Sequence, residues 1–156
     1  MPTNAEIVAE KLLIQGKHIT FAESCTAGLC AARLGEIPNI SHIFDESIVT
    51  YANEAKIARL GVDPALIEQY GVVSEPVAQQ MAIGAAARMN AQVAVGISGI
   101  AGPGGGSTTK PVGTVCFGYV IGEKTFAQTL HFGDIGRNAV REAAVDAVYA
   151  VLANEL

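Results

Sequence analysis

The sequence predicts an α/β protein, a three-layer α/β/α sandwich built around a mixed sheet. Three observations carry that expectation. Strand-like apolar runs alternate with helical segments through most of the chain, and the last two strand-like runs follow one another directly as a hairpin. Of all residues 50% are hydrophobic and only 16% charged, enough for a well-filled core. A length of 156 residues fits one domain, residues 1–156, large enough to bury roughly 70% of the surface its unfolded chain would expose.

The elements follow in order. Ala5, Val8, Leu12 and Leu13 share a face of a first helix, with Asn4 as its cap and Gly16 as its stop. Residues 18–22 read as a short buried strand and 25–34 as a helix rich in small residues. Residues 46–51 lean to β structure, and 53–60 form a helix closed by Gly61. Asp63 followed by Pro64 is an N-cap with proline at the first helical position, and Gly71 ends that short helix. Ser74 caps a longer helix, 75–89, whose alanines and glycine imply close packing. Residues 92–97 are a buried strand running into glycines. Residues 113–121 and 124–131 form a hairpin turning at Gly122-Glu123, and 137–153 close the chain as an amphipathic helix. There is no internal repeat and no linker.

Composition narrows the function. A net charge of −5 and a pI near 5.1 argue against a general nucleic-acid or anionic-membrane surface, so an anionic ligand needs a local cluster of donors. No apolar run approaches the ~20 residues that span a bilayer, and the acid-bearing start MPTNAEIVAEKLL is not an export signal. Cys25, Cys30 and Cys116 are odd in number and form no CxxC pair, which fits a reduced, cytoplasmic compartment. With no HExxH, no paired-carboxylate spacing and scattered histidines, neither a metal nor an organic cofactor is expected.

Chemistry concentrates in four segments. Glu23-Ser24-Cys25-Thr26 lies where a strand gives way to a helix, so free N–H groups flank a hydroxyl, an arrangement suited to acyl transfer. The same serine reads equally as a helix N-cap, although Ala27 denies it a capping-box partner. A serine nucleophile needs a base, and His18, His42 and His131 lack a local triad pattern. Lys56, five positions after Tyr51 in TYANEAK, is the better candidate, with tyrosine hydroxyl and lysine amine facing one pocket; the alternative is an exposed helical lysine. At the ordinary lysine pKa of about 10.4, only about one amine in 2,500 is neutral at pH 7. The base therefore needs an enclosed site or a nearby positive charge. Residues 98–106, SGIAGPGGG, leave a strand with enough glycine for amides to approach a ligand, or form a plain flexible loop. They match neither a Walker loop nor a dinucleotide fingerprint. Arg137 and Arg141, four apart on a helix, either clamp a phosphate or pair with Glu142, Asp146 or another subunit.

AESCTAG (22–28), TYANEAK (50–56), GVVSEPVA (71–78), SGIAGPGGG (98–106) and KPVGTV (110–115) occur together and in this order. They resemble the C-terminal domain of the competence-damage-inducible CinA proteins, a family that includes the nicotinamide-nucleotide amidases. The likeness runs from Ile7 to Leu152. It implies a three-layer α/β fold, a homo-oligomer, and hydrolysis of nicotinamide mononucleotide to nicotinate mononucleotide and ammonia, in pyridine nucleotide salvage, without a cofactor. Matched residue by residue, the family's nucleophilic serine falls on Ser24, its tyrosine on Tyr51 and its lysine on Lys56. On this reading Cys25 and Thr26 supply oxyanion amides. Gly99, Ala101, Gly102, Gly104 and Gly105 line the nucleotide pocket, and Arg137 and Arg141 meet the phosphate. The chain departs from the family at Ala27 and Ser47, where glycines are usual, and in GDIGRNAVR, which separates Asp134 from Arg137 by two extra residues.

Overall fold

A computed structural model describes residues 1–156. Helix α1 (Asn4–Gln15) leads into strand β1 (Ile19–Glu23), helix α2 (Leu29–Gly35), a 3-10 turn at Ile40–His42 and the short strand β2 (Ile48–Val49). Helices α3 (Asn53–Leu60), α4 (Pro64–Tyr70) and α5 (Glu75–Met89) follow, then strands β3 (Val93–Gly99), β4 (Thr114–Ile121) and β5 (Lys124–His131), and helix α6 (Arg137–Glu155). The five strands form one sheet in the order β2-β1-β3-β4-β5. β1 runs parallel to β2 and β3, whereas β4 and β5 are antiparallel additions. The sheet is mixed and carries helices on both faces, as the alternation of elements implied.

Period-two alternation separates the faces. Ile19 and Phe21 of β1, Val93, Val95 and Ile97 of β3, and Val115, Phe117 and Tyr119 of β4 join buried side chains of α1, α2 and α6 in the larger core. On the opposite face Ala22 packs with Leu60, Val77, Met81 and Ala85 of α3 and α5. That face is lined by small residues because α5 comes close. Gly96 and Gly118 are cross-strand partners, and a Cβ on them would lie 2.2 Å and 2.4 Å, respectively, from the Ala78 carbonyl oxygen. Gly96→Ala should therefore push α5 outward and lower stability by about 1–3 kcal/mol, read as a lower urea midpoint with an unchanged slope.

Four local readings change. Thr3, not Asn4, caps α1: its hydroxyl accepts from the Glu6 N–H at 3.2 Å, and its own N–H donates to the Glu6 carboxylate at 2.6 Å, a reciprocal capping box. Leu13 turns out of the core and is 37% exposed. Helix α2 begins at Leu29 rather than Cys25, because Ala27 (φ 47°) and Gly28 (φ 99°) are left-handed and break any helix there. Ser74 precedes α5 as expected, but its hydroxyl donates to the Gly71 carbonyl at 2.8 Å and does not cap the helix.

The connection leaving β1 passes over one face through α2, and the one entering β3 arrives from the other through α5. The C-terminal ends of these adjacent parallel strands thus form a topological switch point, where α/β sheets open a crevice. Ser24 follows β1 and Gly99 ends β3 at that crevice.

Candidate active site

Ser24 still donates its N–H to the Ile97 carbonyl at 3.1 Å, so the β1–β3 register extends one residue beyond the strand. Alternation then places Ser24 with Ala22, toward the α3–α5 face, and Glu23 toward α2. The buried Glu23 carboxylate accepts from the Thr26 hydroxyl at 2.6 Å and from the N–H groups of Cys30 at 2.9 Å and Ala31 at 3.2 Å. It is Glu23, therefore, that satisfies the first amides of α2. Ser24 is not an N-cap, and the amides beside it belong to the turn at residues 24–28. Within that turn the N–H groups of Cys25 and Thr26 donate to no acceptor in the chain.

Lys56 comes to Ser24 from α3 and is only 1% exposed. Its Nζ lies 3.1 Å from Ser24 Oγ, 2.7 Å from the Thr50 carbonyl and 3.0 Å from the Tyr51 carbonyl. The seat for this amine is held by the Thr50 N–H, which donates to the Glu23 carbonyl at 2.9 Å. Burial pushes the Lys56 pKa below its ordinary value. An ammonium here donates to all three oxygens. A neutral amine keeps its two N–H bonds for the carbonyls and turns its lone pair to the Ser24 hydroxyl. The exposed helical lysine is thereby excluded.

Tyr51 reaches this pair through its carbonyl. The residue is 54% exposed, and its hydroxyl accepts from Arg137 Nη2 at 2.7 Å; no hydrogen bond joins that hydroxyl to Ser24 or Lys56. The expected hydroxyl contact to the lysine is thus replaced by a main-chain one, since Lys56 turns inward and the tyrosine ring outward. The histidines are elsewhere. His18 pairs with Asp45 at 2.6 Å, His131 bonds the Thr114 hydroxyl at 3.1 Å, and His42 lies exposed in the 3-10 turn.

Beside the turn lies a cleft of about 400 Å³, lined by Cys25, Tyr51, Gly99, Ala101, Gly102, Gly104, Gly105 and Arg137, with Ile100, Ser107, Lys110 and residues 71–73 completing the wall. The glycine segment is tied at both ends: Ile100 donates to the Thr114 carbonyl and Ser107 to the Lys110 carbonyl, each at 2.8 Å. Between them the N–H groups of Ala101, Gly102, Gly104, Gly105 and Gly106 donate to nothing in the chain. Gly102 is irreplaceable on two counts, a φ of 87° and a Cβ position 2.6 Å from Val112 Cγ1. Another hollow of about 440 Å³, at Thr3, Arg33 and Asp146, shares none of these residues.

The two arginines part company. Arg137 lines the cleft and bridges it, from the Gly102 carbonyl (2.8 Å) to the Tyr51 hydroxyl. Arg141 lies outside the cleft and behind the turn. Its Nε donates to the Cys25 carbonyl at 2.9 Å, Nη2 to the Thr26 carbonyl at 3.3 Å and Nη1 to Asn138 Oδ1 at 3.0 Å. The expected two-arginine clamp does not form, because Arg141 is taken up by the Cys25 and Thr26 carbonyls while Arg137 reaches Gly102 and Tyr51. Nor does either arginine pair with Glu142 or Asp146, which both bind Arg33. Thr26 is likewise fully buried against Glu23, away from the cleft. Sequence reasoning quoted the segments holding Glu23 and residues 71–73 but missed their roles, and it missed the Thr50 carbonyl; the one legible signal was a carboxylate closing the buried strand ITFAE.

Fold and site together define an α/β sandwich with a serine bonded to a buried lysine at its switch point. The sequence model of the CinA C-terminal domain matches residues 2–156, and the chain belongs to that family. A CinA-like protein of Mycobacterium marinum is 50% identical over 92% of this chain and 34% of its own length. One from Mycobacterium tuberculosis is 47% identical over 97% and 35%. The chain thus spans about a third of the length of these relatives. Among solved structures, the competence/damage inducible protein CihA of Agrobacterium tumefaciens superposes with a TM-score of 0.90 at 39% identity, covering 99% of this chain and 98% of that one. A CinA superfamily protein of Escherichia coli gives a TM-score of 0.93 at 32% identity, covering 99% and 91%.

Proposed function

We propose that the protein is a nicotinamide-nucleotide amidase, hydrolysing the carboxamide of nicotinamide mononucleotide by a Ser24–Lys56 acyl-enzyme mechanism. The observation that carries this reading is the buried Lys56 amine 3.1 Å from Ser24 Oγ, with its other two partners both carbonyls. Neutral Lys56 takes the Ser24 hydroxyl proton as Oγ bonds to the carboxamide carbon. The Cys25 N–H, free of any acceptor in the chain and belonging to a residue that lines the cleft, stabilises the resulting oxyanion. Lys56 then gives its proton to the leaving nitrogen, the C–N bond breaks, and ammonia departs. Water, deprotonated by the same amine, attacks the acyl-enzyme and releases the nicotinate product with Ser24 restored.

The cleft suits a phosphorylated pyridine nucleotide. Arg137, Lys110 and the unbonded amides of residues 101, 102 and 104–106 offer donors to an anionic group. A pyridinium ring near Lys56 further disfavours the ammonium form. Arg137→Ala should raise KM about tenfold or more while changing kcat less, as for loss of a hydrogen bond to a charged group. An unchanged KM in steady-state kinetics would move the phosphate toward Lys110.

The deciding experiment mixes the purified protein with nicotinamide mononucleotide and measures ammonia, with and without EDTA. Serine and lysine supply both nucleophile and base, so release is expected to survive chelation. No ammonia, or loss on chelation restored by a divalent ion, would overturn the proposal.

A further inference from the structure

We infer that Lys110 is a positioning residue for the cleft: its amine straps the end of the glycine segment to Tyr70 and Gly71, and so holds two walls of the cleft together. The inference rests on the amidase reading and deepens it. Of the two cations on the cleft, it leaves the phosphate to Arg137.

The strap starts from a closed turn. The Ser107 N–H donates to the Lys110 carbonyl at 2.8 Å, and the Lys110 N–H donates to the Ser107 hydroxyl at 3.1 Å. Both residues line the cleft where the glycine segment ends. From this turn the Lys110 amine reaches the Tyr70 carbonyl, 40 positions away in the chain. It lies so close over Gly71 that a Cβ there would stand 3.0 Å from Nζ, and the φ of Gly71 is 82°. Glycine at this position thus does more than stop α4. It leaves the amine room to pass.

The carbonyl that Lys110 binds is the last of α4, a helix with no basic residue in its final turn. Such terminal carbonyls lack an intrahelical partner, and the helix dipole favours a cation beside them. The next two carbonyls are held as well. The Ser74 hydroxyl donates to that of Gly71 and the Ser98 hydroxyl to that of Val72, each at 2.8 Å. Ser74 is local and Ser98 belongs to β3, so Lys110 alone ties this wall to residues 100–110 by a side-chain hydrogen bond. Lys110 is in none of the ion pairs of the chain, so no carboxylate competes for its amine. A cleft with fixed walls binds at a lower entropic cost, and loosening them weakens binding by the fraction of competent cleft that is lost. No hydrogen bond joins Lys110 to Ser24 or Lys56, so the chemical step is not its task.

The test compares Lys110→Met and Lys110→Arg with the wild type. Ammonia release gives KM and kcat for nicotinamide mononucleotide, and nicotinamide riboside, which lacks the phosphate, is measured as a competing ligand. Lys110→Met should raise KM about three- to tenfold, as for loss of a part-exposed charged hydrogen bond, with kcat within about twofold. The inhibition constant of the riboside should rise by the same factor, because both ligands need the same walls. Amide exchange followed by NMR should quicken about threefold or more at Gly71 and Ser107, with Val95 in the core unchanged. Lys110→Arg, which reaches the same carbonyl, should reverse most of both effects. A rise confined to the mononucleotide, with normal exchange, would make Lys110 a phosphate ligand. Unchanged KM and exchange would make its bond to Tyr70 inconsequential. Either result overturns the inference. If the wild type releases no ammonia, the amidase reading falls and the exchange comparison decides alone: faster exchange at Gly71 and Ser107 upholds the strap, and normal exchange overturns it.

Discussion

Ser24→Ala is expected to abolish ammonia release, by about 10⁴-fold or more, as removal of a nucleophile does elsewhere, while Cys25→Ala keeps a substantial part of it. The two residues are adjacent, so the contrast isolates which heteroatom reacts. Cys25 faces the cleft, but burial pushes its thiol up to about 11, leaving little thiolate at neutral pH. The hydrogen bond from Lys56 goes to Ser24 Oγ. No histidine bonds either residue. Ammonia release by the two purified variants settles the choice, and a dead cysteine variant beside an active alanine-24 enzyme would reverse it.

Lys56→Arg is expected to be nearly inactive, because a guanidinium keeps the charge but cannot accept a proton at accessible pH. The wild-type pH profile should carry the same signature. On the proposed mechanism only neutral Lys56 is active, so kcat/KM is expected to rise with pH along one ionisation. Burial lowers the pKa of the folded enzyme, so the inflection falls below the ordinary value of about 10.4. Binding a pyridinium cation lowers it further, which places the inflection of kcat below that of kcat/KM. An arginine variant with near-normal rate and an unaltered profile would remove Lys56 from the mechanism.

What the sequence made legible was local. Gly16, Gly61 and Gly71 stop their helices, Asp63 with Pro64 starts one, and Gly122 turns the hairpin; each acts within a few residues of itself. The early end of the nucleophile turn was hidden because it depends on Ala27 adopting φ 47°, a conformation alanine does not advertise. The burial of Lys56 was hidden for another reason. Nothing within α3 distinguishes it from an exposed lysine, and it becomes enclosed only where β1, β2 and α3 meet. Arg137 and Arg141 misled in the same way, since a four-residue spacing describes one helix face but not the two different neighbours a turn apart. Glu23 was visible as an anomaly in an apolar strand, yet its partners lie seven and eight residues downstream.

Strand β2, which leads into the Thr50 and Tyr51 carbonyls that seat Lys56, is two residues long and forms the margin of the sheet. Val49 beside it is 48% exposed, and the main chain at Thr50 is tied back by one bond, to Glu23. Of this segment only Ile48 packs on a core, the smaller one of Leu60 and Met81, and the large core under α1, α2 and α6 takes no part. Regions with so little buried apolar support open at far lower free energy than the global transition. On warming, the amine therefore loses its carbonyl harness while the rest of the molecule is intact, and thermal inactivation precedes calorimetric melting. On the proposed mechanism, durability of activity is governed by this hem of the sheet, so engineering for heat resistance belongs at residues 48–51 before any residue of the interior.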